Sequence, residues 1–255
     1  MQHLLYELPK PIIFAHRGSS AYAPENTLAA FELAVKQEAP ALELDVKLTH
    51  DGEVVVIHDP TTQRTCGKEG IVKNLTLAQL KQLDAGSHFD ASFNGEKIPT
   101  LQEVFDAVGK KLLINVEITN YTSPLDDLPI KVAQLVKNNQ LQEWVFFSSF
   151  NPIALWKIKK LLPQIPIGLL AEEGKRGNWA RSKWLEWLNY EAIHPHHDDV
   201  TPAFVKYHHQ KKRLINVYTV NQAEKMRQLF QMQVDGIFTD DPILAKQNLE
   251  KMETI

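Results

Sequence analysis

Several ionisable side chains of this sequence stand within or directly after apolar, strand-like runs. They are His16, Arg17, Glu43, Asp45, His58, Asp59 and Glu117. Carboxylates from two separate strands make an oxygen-rich site, which suits a hard cation. No cysteine is nearby, and a carboxylate majority disfavours Zn2+. The residue types therefore predict one divalent cation, Mg2+ or Ca2+.

The two histidines and the arginine suit chemistry on a phosphate. Histidine has an unperturbed pKa of about 6.5, so two of them beside a cation can serve as general acid and base. Arg17 can hold a phosphate oxygen through two hydrogen bonds. Together these groups predict phosphodiester cleavage. Either histidine alone would more often be a hydrogen-bonded strand end, so the prediction depends on the combination.

A β-hairpin is predicted where two strand-like runs flank Asp51-Gly52, since Asp-Gly is a strong turn signal. With Asp51 and Gly52 as the two central turn residues, Asp45 is expected directly opposite His58. Glu43 then lies diagonal to His58 on the same face, because strand side chains alternate. The hairpin is therefore expected to gather three ionisable groups.

The spacing of the elements predicts an α/β fold. Nine strand-like runs are separated by helical patterns, and eight of them closing gives a (β/α)8 TIM barrel. We expect one domain, 1–255, with a small inserted segment after the third strand at about 59–108. Capping-box patterns in that segment predict helices at 77–83 and 101–108. A doubly wound open sheet is the alternative, but no GxGxxG motif follows the first strand.

Composition bounds the location and the partners. The single Cys66 rules out an internal disulfide and suits a reducing compartment. A net charge of −3 argues against nucleic acid. No apolar run approaches the roughly 18 residues of a membrane helix, so no stable membrane association is expected. The N-terminus lacks the pattern of a signal peptide, which favours the cytoplasm. The oligomeric state is left open.

Motifs in order along nearly the whole chain resemble one family. They are His16-Arg17-Gly18, Pro24-Glu25-Asn26-Thr27, Glu43-Leu44-Asp45-Val46, Thr49-x-Asp51-Gly52, His58-Asp59, Leu83-Asp84-Ala85-Gly86-Ser87, Val116-Glu117-Ile118, Ser148-Ser149-Phe150, Thr219-Val220-Asn221 and Thr239-Asp240-Asp241-Pro242. This series resembles the glycerophosphodiester phosphodiesterase family, of the bacterial, cytoplasmic type.

The resemblance implies metal ligands, an acid–base pair and a phosphate-binding residue, which here are Glu43, Asp45 and Glu117, then His16 and His58, then Arg17. It also implies small-molecule substrates, deacylated phospholipids such as glycerophosphocholine and glycerophosphoethanolamine. The products would be an alcohol and glycerol 3-phosphate. The implied route is attack by the neighbouring glycerol hydroxyl, giving a cyclic phosphate that water opens.

Two positions depart from the family pattern. Members often carry a lysine two residues after the third metal carboxylate, where this chain has Thr119. Tyr218 stands where a tryptophan is common, and it is expected to pack against glycerol or choline as a substrate-binding residue. Two alternative functions stay open. One is a phospholipase-like lyase that stops at the cyclic phosphate, and the other is a non-catalytic binding barrel.

Two later clusters are harder to interpret. A histidine-rich run follows a strand and holds His194, His196, His197, Asp198 and Asp199. It fits no standard metal-ligand spacing, so a solvated loop is favoured over a second metal site, with a substrate contact as the alternative. A helix near 179–188 is predicted to pack its tryptophans, Trp179, Trp184 and Trp187, on the barrel.

Overall fold

The computed structural model describes residues 3–253 of the chain. Eight parallel strands close into a barrel with helices between them. One additional strand, the third along the chain, pairs antiparallel with the second. The first strand pairs with both the second and the last, which excludes an open sheet. The predicted (β/α)8 TIM barrel is therefore confirmed. Within the described residues, no helix is long and apolar enough to cross a bilayer.

The strands are β1 (Ile12–Ala15), β2 (Ala41–Leu48), β3 (Val54–Val56), β4 (Leu113–Ile118), β5 (Val145–Ser149), β6 (Ile167–Ala171), β7 (Ala192–Pro195), β8 (Leu214–Val217) and β9 (Gly236–Thr239). The α-helices are α1 (Leu4–Glu7), α2 (Leu28–Lys36), α3 (Gln63–Cys66), α4 (Leu77–Leu80), α5 (Leu101–Val108), α6 (Leu128–Asn138), α7 (Pro152–Leu161), α8 (Pro202–Gln210), α9 (Ala223–Gln231) and α10 (Pro242–Glu253). Short 3-10 helices cover Val72–Asn74, Ala91–Phe93, Gly174–Asn178, Lys183–Leu188 and His197–Asp199.

Strand register decides which side chains share the barrel interior. Glu43 pairs with Asn115, and Asp45 pairs with Glu117. Because side chains alternate along a strand, these four residues point to the same side, into the barrel. Aromatic rings fill the interior beside them, with neighbouring centroids 4.7–5.8 Å apart, from Phe14, Phe146, His194 and Phe238. The polar groups therefore lie at the carboxyl ends of the strands, against a closely packed aromatic cluster.

The hairpin after β2 differs from the prediction by one residue of register. Val46 pairs with Val56. The amide of Ile57 accordingly donates to the carbonyl of Asp45 at 2.9 Å, so Asp45 faces Ile57 and not His58. The cause is a loop of three residues instead of two, whose glycine has a left-handed φ of +79°. His58 still reaches the interior cavity described below.

The turn between β1 and α2 uses two side chains in an order that the sequence does not reveal. Asn26 looks like the helix cap, but Thr27 takes that role, and its hydroxyl accepts from the Ala30 amide at 3.3 Å. Asn26 adopts a positive φ of +56° and turns its amide toward Asp45. The helix therefore begins one residue later, and this frees the Asn26 side chain to bind Asp45.

The segment that follows β3 packs a small apolar cluster against this strand. Its members are Val55, Ile57, Val72, Leu80, Ala85 and Ile98. Both predicted capping boxes are present, at Thr76 with Gln79 and at Thr100 with Glu103. The second helix, α5, has the predicted bounds, whereas α4 ends at Leu80 instead of residue 83. This segment, the predicted insertion at about 59–108, is referred to below as the inserted segment.

The tryptophan-rich stretch between β6 and β7 does not form the predicted α-helix. A 3-10 helix over Lys183–Leu188 repeats every three residues, so Leu185 and Leu188 share one stripe and are buried. Trp184 and Trp187 share the next stripe and are 85% and 59% exposed. The prediction that the tryptophans pack on the barrel is therefore wrong, because the two leucines take the inward face.

Candidate active site

A cavity of about 220 Å3 lies among the carboxyl ends of the strands. Its lining includes all seven predicted site residues, His16, Arg17, Glu43, Asp45, His58, Glu117 and Tyr218. They come from β1, β2, β4, the hairpin and the segment after β8. At this end of a barrel, the closed sheet brings together side chains from distant parts of the chain.

Three carboxylates form the acidic part of the cavity. Glu43, Asp45 and Glu117 each offer an oxygen atom, and these atoms lie within 4.8 Å of one another. Glu43 and Asp45 are almost completely buried. One oxygen of Glu43, Oε1, is buried without a hydrogen-bond partner among the described residues. A set of this kind, with an unpartnered anionic oxygen, fits a hard divalent cation.

Crowding of these groups shifts their protonation. Burial raises the pKa of Glu43 well above its ordinary value, and the charges of Asp45 and Glu117 raise it further. Burial, and then the charge of Asp45, likewise raises the pKa of Glu117. The guanidinium of Arg17 opposes both shifts. The carboxylates therefore favour a bound proton or a bound cation over standing ionised together.

Each carboxylate is oriented by a neighbouring donor. The Arg17 amide donates to Glu43 Oε2 at 3.0 Å. Asn26 Nδ2 donates to Asp45 Oδ2 at 2.9 Å. The hydroxyl of Tyr121 donates to Glu117 Oε1 at 2.6 Å. Donors of this kind fix the direction in which a ligand oxygen points.

Each histidine is held by an aspartate through the same ring nitrogen. His16 Nδ1 lies 2.6 Å from Asp240 Oδ1, and His58 Nδ1 lies 2.7 Å from Asp59 Oδ1. Asp240 also accepts from Asn221 at 2.6 Å, which keeps it in place. The aspartates occupy Nδ1, so Nε2 of each ring is the nitrogen left for a substrate proton.

Arg17 sits on a turn that requires unusual backbone angles. Its φ is +56°, and Gly18 follows with a φ of +82°. A Cβ at Gly18 would lie 2.7 Å from atoms of Ala30, so only glycine fits there. The turn aims the guanidinium into the cavity, where Nη1 donates to Glu25 at 2.9 Å and Nε lies 3.4 Å from Asp45.

A lysine that sequence reasoning missed lies at the edge of this site. Lys47 Nζ donates to the hydroxyl and the carbonyl of Thr119, at 2.7 and 3.1 Å. Burial lowers the pKa of Lys47, although the charges of Asp45 and Glu117 oppose this. Among the described residues, no carboxylate lies within ion-pair distance of its ammonium group. Thr119, where a lysine is common in the resembling family, thus accepts hydrogen bonds from a lysine of the neighbouring strand β2.

The histidine-rich run separates into two parts. His194 is fully buried and lines the cavity, and burial lowers its pKa to about 3, so it stays neutral. His196, His197 and Asp198 bring potential ligand atoms within 4.8 Å of one another, closer than the sequence suggested. Lys225 Nζ already binds Asp198 at 2.9 Å, and this positive charge opposes a cation there.

Tyr218 forms part of the cavity wall as expected. Its hydroxyl donates to the carbonyl of Ala171 at 2.8 Å, which fixes the ring. The ring meets Phe150 edge to face at a centroid distance of 5.9 Å. The side chain therefore offers the cavity an aromatic surface instead of a free hydroxyl.

The residues whose roles the sequence did not reveal are mostly hydrogen-bond partners of the site residues that it did identify. They are Asn26, Lys47, Tyr121 and Asp240. Asp240 directly follows β9, which the barrel places beside β1. An acid after the last strand was therefore the available signal, once closure of the barrel was assumed.

Several known proteins are similar to this chain in sequence and fold. Residues 16–244 match the glycerophosphoryl diester phosphodiesterase family. The chain is 40% identical over 234 residues to a glycerophosphodiester phosphodiesterase of Caldanaerobacter subterraneus, covering 91% of this chain and 95% of that protein. It is 34% identical over 245 residues to one of Bacillus altitudinis, covering 94% and 99%. The fold is similar to a phosphodiesterase of Oleispira antarctica, solved with the product sn-glycerol-3-phosphate, with a TM-score of 0.87, 30% identity and coverage of 98% and 100%.

Proposed function

The chain belongs to the glycerophosphoryl diester phosphodiesterase family, and from this premise we propose that it hydrolyses deacylated phospholipids such as glycerophosphocholine and glycerophosphoethanolamine. The resemblance carried by the sequence motifs is thus confirmed, and the chain is a phosphoric diester hydrolase. The proposed products are glycerol 3-phosphate and the alcohol. The observation that carries the proposal is the cavity that unites two aspartate-held histidines, an arginine and three carboxylates. We also propose a cytoplasmic location, which the lone Cys66 supports.

Glu43, Asp45 and Glu117 are proposed to hold one divalent cation, Mg2+ or Ca2+. The donor set is all oxygen, and the unpartnered Glu43 Oε1 would gain a partner. When bound, such a cation would polarise a phosphoryl oxygen and neutralise its charge. Arg17 is proposed to bind the same phosphate, since its Nε has no hydrogen-bond partner among the described residues. Lys47 adds a second positive charge at the edge of the site.

The proposed chemistry uses Nε2 of both histidines. One histidine accepts the proton of the glycerol hydroxyl next to the phosphate, and that oxygen attacks phosphorus. The bond to the alcohol breaks, and the other histidine donates a proton to the departing oxygen. After this step the protonation states are exchanged, so water can open the cyclic phosphate with the roles reversed. The matching Nδ1 contacts of His16 and His58 support this symmetry.

A lyase that stops at the cyclic phosphate is the second candidate. One observation favours it, since Tyr121, which contacts Glu117 and Phe150 of the cavity, is 43% exposed in the loop that follows β4. Apolar groups near the entrance suit a substrate that retains a lipid chain. A non-catalytic barrel is less favoured, because none of the proposed acid–base or metal residues is missing from the cavity.

One assay separates these functions. The protein is stripped with EDTA and given Mg2+ or Ca2+ in turn, and glycerol 3-phosphate release is measured from a panel of glycerophosphodiesters. Metal-dependent release is expected. Full activity in excess EDTA would remove the cation from the mechanism. Phosphorus NMR of the products supplies the control, because accumulation of cyclic phosphate alone would favour the lyase, and binding without turnover would favour the binding barrel.

A further inference from the structure

Arg64, in α3 of the inserted segment, binds two carboxylates at once. Its Nη1 and Nη2 donate to Glu25 at 2.6 and 2.8 Å. Its Nε and Nη2 donate to Asp59 at 2.7 and 3.2 Å. Both contacts are two-bond, fork-like pairs, which a planar guanidinium can form and an ammonium cannot.

Each of these carboxylates also holds a side chain of the cavity. Glu25 Oε1 accepts from Arg17 Nη1 at 2.9 Å, and Asp59 Oδ1 lies 2.7 Å from His58 Nδ1. We propose that Arg64 is a positioning residue, which orients His58 through Asp59 and Arg17 through Glu25. The inserted segment would then be part of the catalytic apparatus. This inference rests on the function proposed above.

The energetics favour a fixed arrangement over a loose surface pair. The side chains of Glu25 and Asp59 are only 17% and 23% exposed, although Arg64 itself is 46% exposed. Burial alone would raise the pKa of Glu25, but hydrogen bonds from Arg64 and the charge of Arg17 lower it to about 2. Glu25 therefore stays ionised between two guanidinium groups, which restrains all three side chains.

The backbone that carries Arg64 is itself anchored. Thr62, just before α3, is fully buried, and its hydroxyl donates to the carbonyl of Lys68 at 2.6 Å. Its amide donates to the carbonyl of Gly70 at 2.9 Å. These bonds close the turn around α3, so the position of Arg64 is set by the inserted segment and not by its ion pairs alone.

The test begins with Arg64→Ala and Arg64→Lys. Loss of orientation at His58 should lower kcat, and loss of the Glu25 contact to Arg17 should raise KM, giving a fall in kcat/KM of roughly 10- to 100-fold. Lysine keeps the positive charge but cannot form the two-bond contacts of the guanidinium, so Arg64→Lys should recover only a small part of the lost kcat/KM. Lys68→Met changes an exposed cation of the same segment outside this network and should leave kcat/KM unchanged. Thermal unfolding checks that each variant is folded.

Two measurements show whether Arg64 acts through its partners. Guanidinium added to Arg64→Ala should restore activity, while methylammonium should not. Arg64→Ala should lower kcat/KM by a smaller factor in the Asp59→Asn variant than in the wild type. In that variant the ion pair through which Arg64 orients His58 is already lost. Full additivity with Asp59→Asn, or a folded Arg64→Ala within twofold of wild-type kcat/KM, would overturn the proposal.

A readout without turnover separates this proposal from the function on which it rests. NMR of the ring nitrogens follows the Nδ1 proton shared by His58 and Asp59, with the His16–Asp240 pair as an internal control. Arg64→Ala should shift or broaden the His58 signal and leave His16 unchanged. That result in a protein with no glycerophosphodiesterase activity would keep the positioning role and reject the function. An unchanged His58 signal in an active enzyme would reject the positioning role alone.

Discussion

The two proposed catalytic histidines share one design but differ in setting. Each gives Nδ1 to an aspartate, and each therefore presents Nε2. The His16 side chain is 18% exposed and that of His58 is 42% exposed, so one lies within the barrel and the other at its rim. Both rings line the same cavity, at different depths from solvent, so each can serve as proton donor or acceptor to a substrate bound there.

Replacing either histidine should stop the chemistry without unfolding the protein. His16→Ala and His58→Ala are each expected to lower kcat by roughly 100-fold or more, since a positioned acid or base contributes about that factor. His209→Gln is a matched control, because His209 pairs with Asp235 at 2.8 Å outside the cavity. Steady-state kinetics with thermal unfolding provide the measurement. Near-normal rates in either cavity variant would reject the acid–base assignment.

Lys47 is expected to take over part of the phosphate contact. Lys47→Met should lower kcat/KM about tenfold, mostly through KM, because a charge-assisted hydrogen bond of about 1.5–3 kcal/mol is lost. Lys47→Arg should retain most of the activity. Lys157→Met is the control, since Lys157 Nζ also binds main-chain carbonyls, of Leu125 and Asp126, but lies on α7 and not on a strand of the site. Equal effects of the two Met variants would reduce Lys47 to a structural role.

The sequence revealed the site residues that are recognisable by their type and their position at a strand end. It did not reveal residues whose role depends on a contact with a distant part of the chain. His16 and Glu117 are recognisable because each stands at the end of an apolar run. Asp240 and Lys47 act through neighbours that only strand pairing supplies. Side-chain partners that lie far apart along the chain leave no local pattern, so they require the fold.

Short turns at the strand ends position most of the site. The Asp51-Gly52 signal correctly predicts a hairpin, but it fits both a two-residue turn and a three-residue loop. Thr49 decides between them, because its hydroxyl binds Asp51 at 2.6 Å and accepts from the Glu53 amide at 2.9 Å. The sequence therefore predicted the hairpin and its place beside the other site residues. The predicted register of the two strands was wrong by one residue.

The turn after β1 should be intolerant of any side chain at Gly18. Gly18→Ala adds a left-handed strain of about 1–2 kcal/mol and a clash with Ala30 of about 1–3 kcal/mol, and it moves Arg17. Gly95→Ala is the matched control, because Gly95 also has a positive φ, +93°, but faces open space. Urea unfolding should show the larger loss for Gly18→Ala, with activity lost as well. Equal losses would mean that the contact with Ala30 is accommodated.

Across the whole molecule, the burial of acids at one end of the barrel links folding, protons and cations. Glu43 and Glu117 have raised pKa values, mainly because of burial. The folded state then binds more protons than the unfolded chain above the ordinary glutamate pKa of about 4.3. Stability from this source is fully present below that pH and is lost as pH rises through the raised values.

Cation binding should therefore release protons and depend on pH. Calorimetric titration with Mg2+ or Ca2+ near pH 7, in buffers of different ionisation enthalpy, is expected to show proton release and tighter binding at higher pH. The cation should also raise the melting temperature more at pH 8 than at pH 6. Glu117→Gln should weaken binding and reduce the number of protons released. Binding that is independent of pH would contradict the raised pKa values.

The architecture was the most predictable level. Regular alternation of strand and helix signals was sufficient for the barrel, because crossover connections leave few ways to arrange parallel strands. The stretch between β6 and β7 was not predictable in this way. A 3-10 helix places apolar residues three apart, and an α-helix also places apolar residues three or four apart. Leu185 and Leu188 satisfy the barrel surface there and leave Trp184 and Trp187 outside.

Closure of the barrel by its first and last strands also makes the site depend on residues that are far apart along the chain. His16 obtains its partner from Asp240, 224 residues later. During synthesis, β1 and His16 are made long before β9 and Asp240, so the histidine is present before the group that orients it. The hydrogen bond of His16 therefore forms only after the ninth strand has joined the first, so a chain that stops before Asp240 should lack the oriented histidine and should be inactive.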